Sequence, residues 1–577
     1  MGFDAQSPLM MRFAWLLEQL LGFPRHLSQH VGGFVISDND LSTLVPVENA
    51  AMPDRTIIQW DKDDLEELGL MKVDVLALGM LTAINKCFHL IEQFRGVQYT
   101  MANVPPDDTP TYDMICKADT IGVFQIESRA QMSMLPRLRP RNYYDLVIEV
   151  AIVRPGPIQG GMVNPYLQRR QGTAEVTYPN KDLERVLERT LGVPVFQEQV
   201  MEIAMVAAGF TAGEADQLRR SMAAWRRVGA VTQFKDNVIN GMLNNGYELE
   251  FAESIFKQIE GFGEYGFPES HAASFALLVY VSCYLKCHEP AAFLCAMLNS
   301  QPLGFYDSSD LTQDARRHGV EIFPVDINLS EWDHLLIPDE TGEPAVRLGF
   351  RIVARLSEAG ANKVLAARES AHFSSAADLV RRSGINQGDQ QALAVAGALE
   401  NISGDRHHAQ WDLLGVEQLP ELLEDASANE PTLQLPLPTE GENIVADYLS
   451  TGLTLGRHPL ALLREKLGKR RIIDSASWSA VPNGKSARLA GIIKVRQRPG
   501  SANGVMFMTI EDENGPVNVV LWENVVENFR QEVLGAKMVS VFGVTQREQD
   551  VVHLVAKKIE DLSWMLGDLS THSRNFH

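Results

Sequence analysis

The chain has 577 residues, of which 45% are hydrophobic and 22% charged, with 74 acids against 52 bases for a net charge of −22. That length predicts roughly three to five domains with ample cores, and the composition excludes a disordered or fibrous chain. The acidic balance excludes a histone-like cationic coat. It does not exclude nucleic-acid binding, because local field decides that, not the sum.

Residues 1–29 start inside a helical element, and FAWLLEQLLGF reads as one amphipathic helix. Glu18 within it, and the lack of a cleavage site, argue against a secretory signal; no transmembrane span is read. Leu44 to Leu81 mixes short apolar runs with acids and holds LMKVDVLALGML, a strand passing into a helix. Thr111 to about Gln301 reads as mainly helical, punctuated by Arg154-Pro155-Gly156-Pro157. Between Leu303 and Asn328, DARRHGVEIFPVDIN predicts a helix and a short strand. Val346 to Leu414 reads as a compact helical unit, and Ser427 to Gly441 as a linker rich in proline, glutamate and threonine.

Strands are expected at Ala487–Val495, Val505–Glu511, Val517–Leu521, Met538–Val544 and Val551–Ala556, with a helix at Trp522–Leu534 and a hairpin at Asn514-Gly515. Five strands with a helix between the third and fourth match an OB-fold, the alternative being a generic small β-barrel. The five cysteines (87, 116, 283, 287 and 295) form no disulfide framework, which points to a reducing cytoplasm. Cys283, Cys287 and His288 cluster on an apolar helix without a second ligand pair, so they read as structural rather than as a zinc site.

Charge is unevenly spread. Arg129 to Gln171 holds seven arginines and two acids, whereas Glu417 to Glu442 holds seven acids and no base. Glu264 to Asn299 opens with a glycine-jointed turn and the polar cluster Pro268-Glu269-Ser270-His271, then becomes a helix apolar on nearly every face. Ser270 and His271 at such an N-terminus suit a phosphate-bearing ligand, since free N–H groups and the helix dipole favour anions; an ordinary cap on a core helix is the plainer reading. Asp74, between Val73 and Val75 on a strand, is poor surface decoration and a candidate metal ligand. Arg496, Gln497 and Arg498 fall at the tip of the first OB hairpin, with Phe507 on the next strand. Cations beside a stacking surface suit a single strand, although a lone Phe on a strand is ordinarily core.

The segment PESHAASFA, with MKVDVL, IVRPGP and QLRRSM, resembles the bacterial C-family DNA polymerases, and more narrowly their error-prone, damage-inducible branch. The resemblance runs from about Gly22 to His577. It implies a multidomain α+β chain: the end of a thumb or palm helix (1–29), the C-terminal part of a nucleotidyltransferase-like palm (30–110), helical fingers (111–345), a helix-hairpin-helix region (346–415), an acidic, proline-rich linker (416–445), a connector (446–485), and an OB-fold domain with tail (486–577).

The implied activity is template-directed DNA synthesis for damage tolerance, on primer-template DNA and deoxynucleoside triphosphates in the cytoplasm. Asp74 matches the third catalytic aspartate, a Mg2+ ligand in a two-metal mechanism, and Lys72 a phosphate-facing lysine. Arg154, Arg219 and Arg220 match the incoming-nucleotide site, where the guanidinium fork suits a triphosphate; His271 matches a position near the sugar. Gln197, Glu198 and Gln199 match a family motif, with hydrogen bonding their only readable role. After QLRRSM the match stops at Trp225-Arg226-Arg227.

The family's Asp-x-Asp pair is not matched. Asp38-Asn39-Asp40 reads as a loop ahead of the strands, and Asp61-Lys62-Asp63 as a helix start. The chain is therefore expected to lack the phosphoesterase-like domain and most of the palm, and not to extend a primer alone. The helix-hairpin-helix region offers only Gly360 where Gly-x-Gly is expected. Gln434, Leu435 and Leu437 lie where the sliding-clamp peptide sits, but Pro438 replaces its apolar plug, so accessory (mutasome) proteins are the other expected recruiters. The alternatives are a replicative alpha-subunit fragment and a non-catalytic module binding single-stranded DNA or a partner.

Overall fold

The computed structural model describes residues 7–20, 33–50, 55–60, 62–75, 78–153, 161–224, 230–261, 267–304, 306–416, 435–498, 504–548, 551–567, 569 and 573–576. Only the main chain is described at 62, 63, 66, 74, 220–224, 230–233, 260, 261, 548 and 574–576. The chain divides into two compact units, Met1–Leu78 and Gly79–His577.

The first unit holds the expected helix, Pro8–Leu20. Its apolar stripe (Leu9, Phe13, Trp15, Leu16, Leu20) is exposed, and none of its residues is buried. Strand β1 (Gly33–Ile36) pairs antiparallel with β4 (Met71–Asp74), setting Val35 opposite Lys72 and Gly33 opposite Asp74. Strands β2 (Val47–Asn49) and β3 (Thr56–Ile58) form a second antiparallel pair. Asp38-Asn39-Asp40 follows β1, not precedes it, and Asp40 is a cap: its carboxylate accepts from Ser42 N at 3.0 Å.

The second unit begins with helices. Glu269–His288 is its axis, buried almost continuously from Ala276 to Lys286, and Tyr143–Ile152 packs along it. A helix apolar all round must be surrounded by protein; here the Tyr280 ring packs at a tilt against Tyr112 at 5.5 Å and Tyr284 meets Tyr99 at 6.0 Å. The fixed point is Lys286, 3% exposed. Its ammonium lies 2.7 Å from Asp314, 3.1 Å from Asp119 and 3.1 Å from the Ile121 carbonyl. His318 closes the cluster at 2.6 Å from Asp119. Burial works against the Asp119 charge, yet His318 and Lys286 pull its pKa down to about 2. Cys283 is a buried free thiol, and His288 binds Asp108 at 2.8 Å, as structural roles require.

Beyond the helix Ser308–Arg317, strands β5 (Ile322–Phe323), β6 (Leu335–Pro338) and β7 (Pro344–Arg347) form a sheet ordered β5-β7-β6. Five helices follow, between Glu358 and Leu414. Gly360 lies inside the first of them, at a close crossing: a Cβ there would meet the Asp389 carboxylate at 2.3 Å. Asp389 itself receives Ser357 N at 2.9 Å, so this glycine serves packing.

The C-terminal barrel is built from β8 (Ser486–Gln497), β9 (Met506–Asp512), β10 (Gly515–Leu521), β11 (Met538–Glu548) and β12 (Val551–Asp561). Antiparallel pairs join β8 to β9, β9 to β10, β12 to β11 and β11 back to β8, and β10 runs parallel to β12; this closed order is an OB-fold. Met508, Ile510, Val517 and Val519 fill its interior, so the residues between them face outward. Two expectations need correction. The helix at Trp522–Leu534 is two helices, Glu523–Asn528 and Arg530–Gly535, broken at Phe529, which packs against the barrel core. The tail contributes a strand, β13 (Arg574–Phe576), parallel to β8.

Lys286→Met would leave the buried Asp314 and the partly exposed Asp119 without their ammonium, and should lower unfolding free energy by about 3–5 kcal/mol in a denaturant titration. Glu149 has the opposite problem. Both its oxygens are buried without a hydrogen-bond partner, and burial pushes its pKa well above 4.5. A raised folded pKa means stability is full below the unfolded value and lost as pH rises toward the folded one. Glu149→Gln should therefore match the parent below pH 4.5 and exceed it increasingly above, by roughly 1–3 kcal/mol at neutral pH.

Candidate nucleotide and nucleic-acid interfaces

Within the first unit, positions 72 and 74 fall on β4 two residues apart. Lys72 lines an open hollow with Phe34, Ile36 and Ile58; the Asp74 side chain lies outside the described set.

In the fingers, Arg154, Trp225, Arg226 and Arg227 lie outside the described residues, and the Arg220 side chain does too. Arg219 stands on the helix Ala212–Ala224 and directs Nε and Nη2 at Asp216, 3.1 and 2.9 Å away. Any phosphate would have to draw that half-exposed fork from its own helix neighbour.

The N-terminus of Glu269–His288 differs from the expected phosphate cradle. Its first amide, Glu269 N, already donates to the Glu198 carboxylate at 3.0 Å. Glu269 in turn accepts from Tyr144 OH at 2.8 Å and pairs with Arg189 at 3.1 Å, while the Arg189 guanidinium lies 3.9 Å over the Tyr144 ring. A protein carboxylate thus fills the place that the dipole argument reserved for a ligand. Ser270 and His271 are exposed beside it; the His271 ring packs 4.2 Å from Phe275 and 4.9 Å from Phe267.

Sequence reasoning left Gln197-Glu198-Gln199 without particular partners. Glu198 is the cap just described. Gln199 is buried with its amide fully used: Oε1 accepts from Val195 N and Phe196 N, and Nε2 donates to the Val186 carbonyl and the Thr190 hydroxyl. The QEQ run therefore braces the start of the helix Glu269–His288 and the segment before its own helix. Its signal was the capping pattern at the start of an apolar helix.

On the barrel, Arg496 is corrected. It is 5% exposed, its Nε donates to Val533 O at 2.6 Å, and its other nitrogens reach Ala536 O and Ser573 Oγ. A guanidinium spent on main-chain carbonyls ties β8 to the helical connection and the tail; it does not face DNA. Arg498 is partly exposed, 3.8 Å from Glu523, and Phe507 is half-buried opposite Gln497. Sequence reading missed Trp522, 56% exposed just past the end of β10. Arg498, Phe507 and Trp522 thus gather at one end of the β8–β9–β10 face, the makings of a stacking platform.

Gln434 lies outside the described residues. Leu437 is 73% exposed, Pro436 O accepts from His407 Nδ1 at 2.8 Å, and the helix Glu440–Ser450 begins behind a Thr439–Glu442 capping box. No apolar plug stands between Leu437 and that helix.

Residues 80–246 match the bacterial DNA polymerase III alpha subunit finger domain, and 1–77 the alpha NTPase domain of the same protein. Residues 319–409 match a helix-hairpin-helix motif and 487–562 an OB-fold nucleic acid binding domain. Three curated relatives, each called error-prone DNA polymerase, are 56% identical: those of Pseudomonas fluorescens Pf0-1, Alkalilimnicola ehrlichii and Bordetella bronchiseptica. Along its whole length the chain is similar to bacterial error-prone DNA polymerases. Each match covers 100% of this chain but only 55–56% of the relative, so the chain spans little more than half their length. Among solved structures, 16% of the chain aligns with asparaginyl-tRNA synthetase from Pyrococcus horikoshii at 26% identity and a TM-score of 0.14, too slight to carry an argument. No helix among the described residues is long and apolar enough to cross a membrane.

Arg496→Met should destabilise the barrel, visible as a lower melting temperature, because three acceptors lose their donor. Trp522→Ala should leave melting nearly unchanged and weaken single-stranded DNA binding by about 1–3 kcal/mol in an anisotropy titration.

Proposed function

We propose that this chain supplies the nucleotide-selecting and DNA-holding parts of an error-prone DNA polymerase, which adds deoxynucleotides to a primer 3′-hydroxyl on damaged templates. The observation that carries this reading is the similarity of this whole chain to just over half of each error-prone polymerase, joined to an OB barrel with an exposed cation-aromatic end. In it, Arg154, Arg219 and Arg220 hold the triphosphate, with Ser270 and His271 beside the sugar. Glu198, Glu269, Tyr144 and Arg189 fix the start of the long helix so that those donors meet the ligand in one geometry. Arg498, Phe507 and Trp522 receive the single strand.

Asp74 is the residue proposed to hold magnesium, with Lys72 facing phosphate. A divalent ion there would neutralise charge developing on the transferred phosphoryl group. Among the described residues the one group of three metal-ligand side chains is Asp119, Asp314 and His318, and its two carboxylates already hold the Lys286 ammonium while His318 pairs with Asp119. It offers no alternative metal centre. Sliding-clamp and mutasome partners remain part of the proposal, with Leu435 and Leu437 as the candidate contact.

The test is primer extension by a polymerase containing this chain. Asp74→Asn should cut the rate about 10²–10³-fold, several kcal/mol of barrier, with primer-template affinity retained. Full activity in that variant would overturn the assignment.

A further inference from the structure

The outward face of the OB barrel is open only at its Phe507–Trp522 end. Farther along, Val495, Thr509 and Asn518 form one row across β8, β9 and β10, with Thr509 between the other two. The fingers helices Arg129–Leu138 and Ser308–Arg317 lie over that row. Arg129 Nη1 donates to Asn518 Oδ1, Lys494 Nζ lies 2.6 Å from Asp310, and Arg317 lies 3.5 Å from Glu511. Between the two surfaces a cavity of about 280 Å3 remains.

Two groups in its wall lack what their chemistry asks for. Thr509 is 6% exposed, and its hydroxyl has no hydrogen-bond partner. Buried hydroxyls are ordinarily satisfied, so this one requires an explanation. Arg129 donates to a neutral amide and has no ion pair among the described residues; burial lowers its pKa to about 10. Of the three acids in the wall, Asp310 and Glu511 flank Lys494, and Glu511 also meets Arg317; the third is the buried Glu127. The Arg129–Leu138 helix also starts here, with its positive dipole end. Met132, Pro136, Val495, Pro516 and Val552 form an apolar patch in the wall, beside polar groups that include Lys117, Ser128, Ser133, Tyr306 and Gln497. The volume sits at the lower edge of ligand cavities, roughly 300 Å3, which limits an occupant to about one nucleotide.

We propose that this cavity binds a small phosphate monoester on a flat apolar body, the size of a nucleoside monophosphate. Arg129 takes the phosphate with its fork, Thr509 donates its hydroxyl, and the apolar wall covers the base. The ligand touches fingers and barrel at once, so it clamps the barrel face in its docked position. The proposal is independent of the chemistry assigned to Asp74.

Titrating the 577-residue chain with thymidine 5′-monophosphate by calorimetry tests it. Saturable binding is expected, weakened roughly tenfold or more in both Thr509→Val and Arg129→Met, and unchanged in Asp74→Asn. Thr509→Val keeps the side-chain shape, and each variant's melting curve separates lost binding from lost folding. A 5′-phosphorylated oligodeoxynucleotide that displaces the monophosphate identifies a strand end as the natural source; failure to displace it identifies the free nucleotide. Absence of saturation, or equal binding by Thr509→Val, would overturn the site. Inorganic phosphate binding as tightly as the nucleotide would overturn the role of the apolar wall.

Discussion

One buried ammonium organises the larger unit. Lys286 joins the C-terminal end of the helix Glu269–His288 to the loop carrying Asp119 and to Asp314 on the helix Ser308–Arg317. Removing a charge from water is expensive unless the geometry satisfies it, and here two carboxylates and a main-chain carbonyl do so. Such a pair adds little net stability over an apolar substitute. Its effect is on specificity, because any slippage would strand the charges.

That constraint propagates to the barrel. The helix holding Asp314 also carries Asp310 and Arg317, which meet Lys494 and Glu511 of the OB-fold. Burial raises Asp310 to about 6 even though Lys494 opposes the shift. Burial likewise opposes the Lys494 charge, and Asp310, Asp307 and Glu511 outweigh it. From the long helix to the nucleic-acid fold, orientation is thus set by a chain of desolvated charges rather than by apolar area alone. The same arrangement covers part of the barrel face and concentrates its accessible aromatic and cationic groups at one end.

Several elements were legible because local chemistry and tertiary environment agree. The alternating runs from Ala487 to Val495 and Val551 to Ala556 gave strands, since one face had to fill a barrel. Asn514-Gly515 marked a hairpin; its turn residues are Glu513 and Asn514, and Gly515, opposite Asp512, opens β10 with a φ of +147°. The helix over Glu269–His288 was readable from its unbroken apolar content. Where the reading failed, a distant partner intervened. Arg496 looked like a hairpin-tip cation, but the sequence could not show that Val533, Ala536 and Ser573 would converge on it. At the start of the long helix the plainer reading, an ordinary cap, fits, but the sequence could not show that the capping carboxylate would be Glu198, far upstream in the chain.

The sequence by itself determined the class: its periodicities set the helical fingers and the barrel, and its motifs set the polymerase family. Those properties depend on local propensity and on residue identity, both written along the chain. Tertiary structure alone decided which charges are spent and which face solvent. A charge is neutralised by whatever lies within a few ångströms, and for Lys286, Arg496 and Glu269 those neighbours come from other elements.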